Sequence, residues 1–221
     1  MRHSYLLQFL FNGKLYPSAL PVNTPNSPRK TKKETTMALT SSTMLALGSR
    51  APNFNLSDTQ GRHWSLADFS DDPALLVMFI CNHCPYVIHL KTALADFARD
   101  YAAKGLGVIA VNANDASAYP ADSPENMALE VARYKYVFPY VYDETQEIAK
   151  AYHAACTPDF FLFDAQRRLV YRGQFDDSRP GADKPVTGKD LRQAVDALLN
   201  GGEIASDQRP SMGCNIKWRD A

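Results

Sequence analysis

Two cysteines separated by two residues, in the run Cys81-Asn82-His83-Cys84, are the strongest chemical signal in the chain. A free cysteine has a pKa of about 8.5 and attacks only as the thiolate, so its surroundings decide its reactivity. A close pair suits thiol-disulfide exchange, in which one thiol forms a mixed disulfide and the other resolves it. We therefore predict that Cys81 is the nucleophile and Cys84 is the resolving thiol.

The flanking residues place this pair between a strand and a helix. Residues 74–80 form a continuous apolar run, which is typical of a strand buried on both faces of a parallel sheet. Beyond it, apolar side chains recur at steps of three and four from Val87 to Tyr101, as in an amphipathic helix. We expect Cys81 to lie exposed at the helix start, where unpaired N–H groups and the helix dipole lower its pKa, with Cys84 one turn further on.

His83 lies between the two cysteines. A positive charge on its ring near neutral pH would stabilise the reduced thiolate relative to the disulfide and raise the reduction potential of the pair. The alternative is that His83 is a solvent-facing residue of the first helical turn with no redox role.

The remaining pattern predicts one α/β domain over residues 46–200, with a central mixed sheet flanked by helices and an N-terminal hairpin. Ser123 and Pro124 mark a helix start, as N-cap and first helical residue. Residues 20–45 show no hydrophobic period and are interpreted as unstructured. Residues 1–45 are therefore predicted to be a disordered or over-annotated extension, with a basic transit segment in residues 1–36 as the alternative. Residues 201–221 are predicted to be a C-terminal tail that contains Cys214. The predicted elements are strands at 74–80, 106–112 and 140–142, a helix from 124 to about 136, a short helix near 148–152, a hairpin of 160–163 with 169–175, and a last helix ending at 201.

Three segments together resemble a known family. The run CNHCPYV after a buried strand, the Thr157-Pro158 step before a hairpin, and the closing segment PSMGCNIKW are similar to the peroxiredoxin-like (AhpC/TSA, redoxin) branch of the thioredoxin superfamily. The resemblance extends over roughly residues 46–218 and implies a thioredoxin-like fold. It also implies that Pro158 is cis and faces the cysteine pair, with the backbone of Thr157 available to an extended substrate.

The two other cysteines have open roles. Cys156, two residues before Pro158, is either a third redox partner of the pair or a buried, inert thiol. Cys214 is either an auxiliary resolving thiol or part of a packed tail. Four unevenly spaced cysteines are too few for a disulfide framework in a chain of 221 residues.

The chain departs from the family pattern at two points. Peroxiredoxins would place a proline and a threonine seven and three residues before the reactive cysteine, but Ala74 and Met78 occupy those positions. Thioredoxin itself would place a buried acid on the strand before the pair, and residues 74–80 contain none. Proton transfer must then use water, His83 or another group.

The charge and hydrophobicity of the chain limit the classes of partner that it could bind. Residues 1–36 hold six Lys or Arg and one acid, which leaves 18 basic and 23 acidic residues from Met37 onward. A mildly acidic body argues against nucleic acid as a partner, and no apolar run approaches the roughly 20 residues needed to span a bilayer. We expect a cytoplasmic protein that needs no cofactor, with a protein or small-molecule disulfide or thiol as substrate and a cellular thiol as reductant.

Three functions compete at this stage. The first is a thiol-disulfide oxidoreductase that cycles Cys81 and Cys84 between dithiol and disulfide. The second is an atypical thiol peroxidase with Cys81 as the peroxidatic thiol, resolved by Cys84, Cys156 or Cys214. The third is a metal-binding or non-catalytic interaction domain in which Cys81, Cys84 and another Cys or His hold zinc. No second ligand pair completes such a site, and no metal is predicted.

Overall fold

The computed structural model describes residues 39–219. Its main sheet has five strands in the order β6-β5-β4-β8-β9. Parallel pairing joins β4, β5 and β6, whereas β8 and β9 run antiparallel to their neighbours. This is the mixed sheet that the sequence predicts. The strands are β4 (Ala74–Phe79), β5 (Leu106–Asn112), β6 (Tyr140–Tyr142), β8 (Asp159–Asp164) and β9 (Leu169–Arg172).

Four helices lie on the two faces of this sheet. They are α1 (Pro85–Ala102), α2 (Pro124–Tyr134), α3 (Glu147–Ala151) and α4 (Lys189–Leu199). Ser123 is the N-cap of α2, as predicted, and its hydroxyl accepts a hydrogen bond from the N–H of Asn126. The predicted N-terminal hairpin is also present, formed by β2 (Asn55–Ser57) and β3 (His63–Ser65).

The central strand β4 is buried on both faces because its side chains alternate between two cores. Leu76 and Met78 pack on the side of α1 and α4. Val77 and Phe79 pack on the opposite side, with α3. This explains why the strand is apolar at every position. Cys81 follows two residues after the end of β4 at Phe79.

A second sheet was not predicted. It has the order β1-β10-β7, with β1 at Leu39–Ser41, β7 at Cys156–Thr157 and β10 at Met212–Asn215. The interpretation of residues 20–45 as unstructured is therefore wrong for Leu39–Ser41, whose backbone pairs with β10. Strands of two to four residues are too short to show a period, so only long-range pairing defines them.

Other expectations lie outside the described residues, including those made for residues 1–36. Within residues 39–219, no helix combines the length and the apolar character that a bilayer crossing requires.

Candidate functional site

Cys81 and Cys84 lie between the end of β4 and the start of α1, as predicted, but the helix begins later than expected. It starts at Pro85, and Cys84 is its N-cap with extended backbone angles. A proline disfavours helical angles in the residue before it, so α1 cannot begin earlier. Cys84, rather than Cys81, therefore occupies the helix terminus.

The environments of the two thiols reverse the predicted pKa order. The Cys214 thiol, the Cys81 thiol and the N–H of Val87 stabilise a thiolate on Cys84 and hold its pKa well below the usual value. Burial, followed by the adjacent Cys84 sulfur and the Asp122 carboxylate, raises the pKa of Cys81. Cys81 is only 1% exposed and Cys84 is fully buried, so the expectation of an exposed, low-pKa Cys81 is wrong.

A buried carboxylate, Asp122, organises the outer side of the cysteine turn. One of its oxygens accepts a hydrogen bond from the N–H of Asn82 at 2.7 Å. The other oxygen accepts hydrogen bonds from Nδ1 of His83 at 2.6 Å and from Nδ2 of Asn114 at 2.8 Å. Asp122 is inaccessible to solvent, so these donors must compensate for its lost hydration. The carboxylate thereby fixes the conformation of the Asn82-His83 segment.

His83 is held between Asp122 and an aromatic ring. Its imidazole stacks on Tyr119, with ring centroids 5.2 Å apart and planes 7° from parallel. Its Nε2 is buried and has no hydrogen-bond partner among residues 39–219. Cys81 Sγ, a ring nitrogen of His83 and a carboxylate oxygen of Asp122 all lie within 4.8 Å of one another. This places a base, oriented by a carboxylate, beside a thiol.

A buried ion pair supports the same turn from α1 and α2. Lys91 and Glu130 form a salt bridge, and Lys91 Nζ also donates to the carbonyl of Asn82 at 2.9 Å. On the other side, the hydroxyl of Tyr140 donates to Oδ1 of Asn82 at 3.1 Å. Asn82 is thus fixed through its N–H, its carbonyl and its side chain.

Thr157 and Pro158 face the cysteine pair, and the Thr157-Pro158 peptide bond is cis, as predicted. The Thr157 hydroxyl lies 3.3 Å from Cys81 Sγ, and the Thr157 carbonyl oxygen lies 3.1 Å from Cys84 Sγ. The backbone of Thr157 is not simply open to a substrate, however, because Thr157 pairs with Cys214 of β10. A segment of this chain occupies the edge that the resemblance implied for an extended substrate.

The structure separates the two remaining cysteines. Cys214 Sγ lies 2.8 Å from Cys84 Sγ, and Cys214 is 3% exposed. Cys156 is fully buried, and its thiol donates to the carbonyl of Pro158 at 3.6 Å. Burial raises the pKa of the Cys156 thiol, as expected of an inert cysteine.

A second buried acid, Asp159, follows Pro158 on β8 and pairs across the sheet with Phe79 of β4. Burial raises its pKa to about 7. Ser42 and the N–H groups of Ala155 and Phe160 oppose this rise, but none makes a hydrogen bond of normal geometry to either carboxylate oxygen within residues 39–219. The strand β8, which neighbours β4, therefore carries a buried acid, whereas thioredoxin would carry its buried acid on the strand that precedes the cysteine pair.

Sequence reasoning missed Asp122, Asn114, Asp159 and the Lys91–Glu130 pair. Asn114 and Asp122 follow β5, which runs parallel to β4, and the carboxyl ends of parallel strands meet at one edge of a sheet. That rule would have placed the polar segment after β5 beside Cys81. Asp159 carried no comparable signal, because an acid after a proline is common in exposed turns.

The chain is similar to a known family of proteins and to a known oxidoreductase. A family model described as AhpC/TSA family matches residues 47–172. The thiol-disulfide oxidoreductase ResA of Geobacillus thermodenitrificans (strain NG80-2) is 30% identical over 136 residues, which are 59% of this chain and 70% of that protein.

Two solved structures extend the similarity. A hypothetical protein from Sinorhizobium meliloti 1021 is 56% identical, with a TM-score of 0.82 over 82% of this chain and 100% of that one. The thioredoxin domain of a thiol-disulfide oxidoreductase from Bacteroides vulgatus is 22% identical, with a TM-score of 0.55 over 71% of this chain and 99% of that one. The second similarity establishes the fold alone, which is thioredoxin-like.

Proposed function

Because the chain belongs to the AhpC/TSA family of thioredoxin-superfamily redoxins, we propose that it is a thiol-disulfide oxidoreductase that cycles Cys81 and Cys84 between dithiol and disulfide. Its distant homology to ResA supports this class of reaction. The observation that carries the proposal is that both thiols of the pair lie against one residue, Thr157, with Cys81 Sγ 3.3 Å from its hydroxyl and Cys84 Sγ 3.1 Å from its carbonyl oxygen. This places the two sulfurs on the same side of the cysteine turn, as disulfide formation between them requires.

The first step is attack by Cys81 on a substrate disulfide. Cys81 must lose its proton, and we assign His83 as the base, because a ring nitrogen of His83 lies within 4.8 Å of Cys81 Sγ and Asp122 orients the ring through Nδ1 at 2.6 Å. Sulfur–sulfur bond formation releases one substrate thiolate and leaves the other half of the substrate on Cys81. Because Cys81 is 1% exposed, the surface around its sulfur has to open to admit the substrate.

The second step is attack by the Cys84 thiolate on Cys81 Sγ. The Cys81–Cys84 disulfide forms, and the second substrate thiolate leaves and takes the proton held by His83. The Cys214 thiol, together with the Val87 N–H, lowers the pKa of Cys84 and favours the thiolate for this attack. A cellular thiol then returns the pair to the dithiol. A protein or small-molecule disulfide as substrate and a cytoplasmic location are parts of this proposal.

Replacing Cys84 tests the mechanism, because Cys84→Ser removes the resolving thiol. The variant should accumulate a mixed disulfide on Cys81 with glutathione or a protein and should lose disulfide reductase turnover. Mass spectrometry of the protein from cells locates the adduct, and reduction of insulin measures the rate. Cys156→Ser is the matched control and should keep the parental rate. A clean Cys81 thiol in the Cys84 variant under mildly oxidising conditions would contradict the proposal.

A thiol peroxidase is the second candidate, and one contact favours it. The Thr157 hydroxyl lies 3.3 Å from Cys81 Sγ and could orient a peroxide, although it comes from a different strand than the threonine that Met78 replaces. Consumption of hydrogen peroxide at catalytic rates, with dithiothreitol as reductant, would support this candidate. Peroxide consumption no faster than that of Cys81→Ser would exclude it.

The zinc hypothesis is weakened by the donors around Asp122. Cys81, His83 and Asp122 could offer three ligand atoms. Both oxygens of Asp122 already accept hydrogen bonds, and a metal ion would have to displace the N–H of Asn82 or the ring of His83. Metal analysis of the purified protein tests this hypothesis. Stoichiometric zinc whose removal makes Cys81 accessible to alkylation would support it.

A further inference from the structure

We propose that Cys214 is a third redox thiol of this site, which receives the disulfide from Cys81 by forming a bond with Cys84. The inference rests on the proposed function, because the disulfide that is passed on is the Cys81–Cys84 bond. It gives β10, which carries Cys214, a part in the reaction.

The sulfur geometry is the first argument. Cys84 Sγ and Cys214 Sγ are 2.8 Å apart, although the two residues are separated by 130 positions in the chain. A disulfide bond has a length of about 2.05 Å, so the sulfurs need to approach by about 0.75 Å. Cys84 is fully buried and Cys214 is 3% exposed, so the contact is shielded from bulk thiols.

The construction of β10 is the second, independent argument. In the register of β10 and β7, Cys214 is opposite Thr157, the residue that contacts both Cys81 and Cys84. The neighbouring Gly213 permits this approach, since a Cβ at that position would collide with the Thr157 carbonyl oxygen. The strand is thus held at a distance from the site that only a glycine allows.

Cys84 is the shared member of two sulfur contacts. Both Cys81 and Cys214 stabilise its thiolate, Cys214 more strongly. The same interaction with Cys84 raises the pKa of the Cys214 thiol. A central sulfur with a thiol on either side can exchange its disulfide partner from one to the other.

The exchange is balanced within the chain. After the Cys81–Cys84 disulfide has formed, Cys214 Sγ attacks Cys84 Sγ and gives up its proton. The Cys84–Cys214 bond forms, the Cys81–Cys84 bond breaks, and Cys81 leaves as a thiolate that takes up one proton. No net oxidation or reduction occurs, and Cys81 becomes a thiol again while the chain stays oxidised.

Disulfide mapping on the full chain tests this step. In Cys81→Ser/Cys156→Ser, only Cys84 and Cys214 remain as thiols. Treatment with diamide, an acid quench and trypsin should yield peptides linked by Cys84–Cys214, with loss of both thiols. Recovery of both residues as thiols from the folded variant would overturn the inference.

Wild-type protein gives a second measurement that does not depend on a variant. Cys81 and Cys84 lie on one tryptic peptide, because no Lys or Arg separates them, whereas Cys214 lies on another. Oxidised wild-type protein should contain linked peptides as well as the Cys81–Cys84 loop. A product that contains only the loop would count against Cys214 as a partner.

Cys214→Ser separates this inference from the proposed function. It should still form the Cys81–Cys84 disulfide, because the serine hydroxyl can donate a hydrogen bond to Cys84 in place of the thiol. Failure of both wild-type protein and Cys214→Ser to form this disulfide would contradict the proposed function, whereas its formation in both without any Cys84–Cys214 bond in wild-type protein would contradict only the role of Cys214. Gly213→Ala should lower the yield of the Cys84–Cys214 bond severalfold, because the strand has to move away from Thr157. Gly202→Ala is the control, since its nearest neighbour would be 3.5 Å away, and it should leave the yield unchanged.

Discussion

The two sides of the turn formed by Cys81-Asn82-His83-Cys84 differ in the chemical groups that contact them. On the outer side, Asn82 and His83 are held by hydrogen bonds to the Asp122 carboxylate. On the inner side, Cys84 contacts another sulfur and a backbone carbonyl, from Cys214 and Thr157. The outer side therefore suits proton transfer, and the inner side suits disulfide exchange. If this division is correct, changes on the two sides should have separable effects.

The largest effect should come from the outer side, with Asp122→Ala. The change leaves the donors on Asn82, His83 and Asn114 without their buried acceptor. We expect a loss of roughly 3–5 kcal/mol in the free energy of unfolding, because each buried donor left unsatisfied costs about 1–3 kcal/mol. Urea denaturation measures it, with the exposed Asp183→Ala as control. A loss no greater than that of the control would mean that Asp122 does not organise the turn.

The next effect concerns Asp159, the buried acid beside the inner side. Burial raises its pKa to about 7 in the folded chain, from 3.8 in the unfolded chain. Between these values the folded chain keeps a proton that the unfolded chain releases, so the free energy of unfolding falls as pH rises from about 4 to 7. The full loss, on the order of 4 kcal/mol, is reached above pH 7.

Asp159→Asn should remove this slope and should be more stable than the parent above pH 7. Denaturation midpoints from pH 4 to 8 measure the difference, and Asp183→Asn should retain the parental slope. Parallel pH profiles for Asp159→Asn and the parent would show that Asp159 does not titrate in this window.

A smaller effect is expected for His83→Gln, which keeps a hydrogen-bond donor for Asp122 but cannot carry the charge. The reduced form should lose stabilisation, so the reduction potential of the Cys81–Cys84 pair should fall by tens of millivolts, where about 30 mV corresponds to roughly 1.4 kcal/mol. Equilibration with glutathione buffers gives the potential. An unchanged potential would restrict His83 to positioning. Cys214→Ser, on the inner side, should leave the proton-transfer behaviour of His83 intact.

The smallest effect is expected from a chain that starts at Met37. Residues 1–36 lack the hydrophobic period needed to bury a face, so the melting temperature and reductase rate should not change. A chain that starts at Met44 is the informative comparison, because it lacks β1 and exposes the edge of β10. It should melt several degrees lower. A similar drop for the Met37 chain would show that the omitted residues belong to the fold.

The sequence was sufficient for the parts of the fold that leave a repeated pattern. The apolar run of β4 and the Ser123 cap of α2 were predicted because each is decided by adjacent residues. The start of α1 was missed because the prediction weighed the cysteines and not the effect of Pro85 on the residue before it.

The inner side of the site could not be predicted for a different reason. Cys84 and Cys214 are 130 residues apart in the chain, and the strand that carries Cys214 has four residues. No local pattern encodes such a contact. The outer side was closer to prediction, because the pairing of β4 with β5 implies that the segment containing Asp122 lies near Cys81.

The position of β10 has a consequence for the order in which the protein is made. A ribosome adds about 5–20 residues per second, so the separation of 130 residues between Cys84 and Cys214 corresponds to roughly 7–26 s. During this interval the nascent chain holds Cys81 and Cys84 without the strand that later covers Thr157. The youngest form of the site is therefore the most open to other thiols and disulfides, and synthesis of β10 closes it.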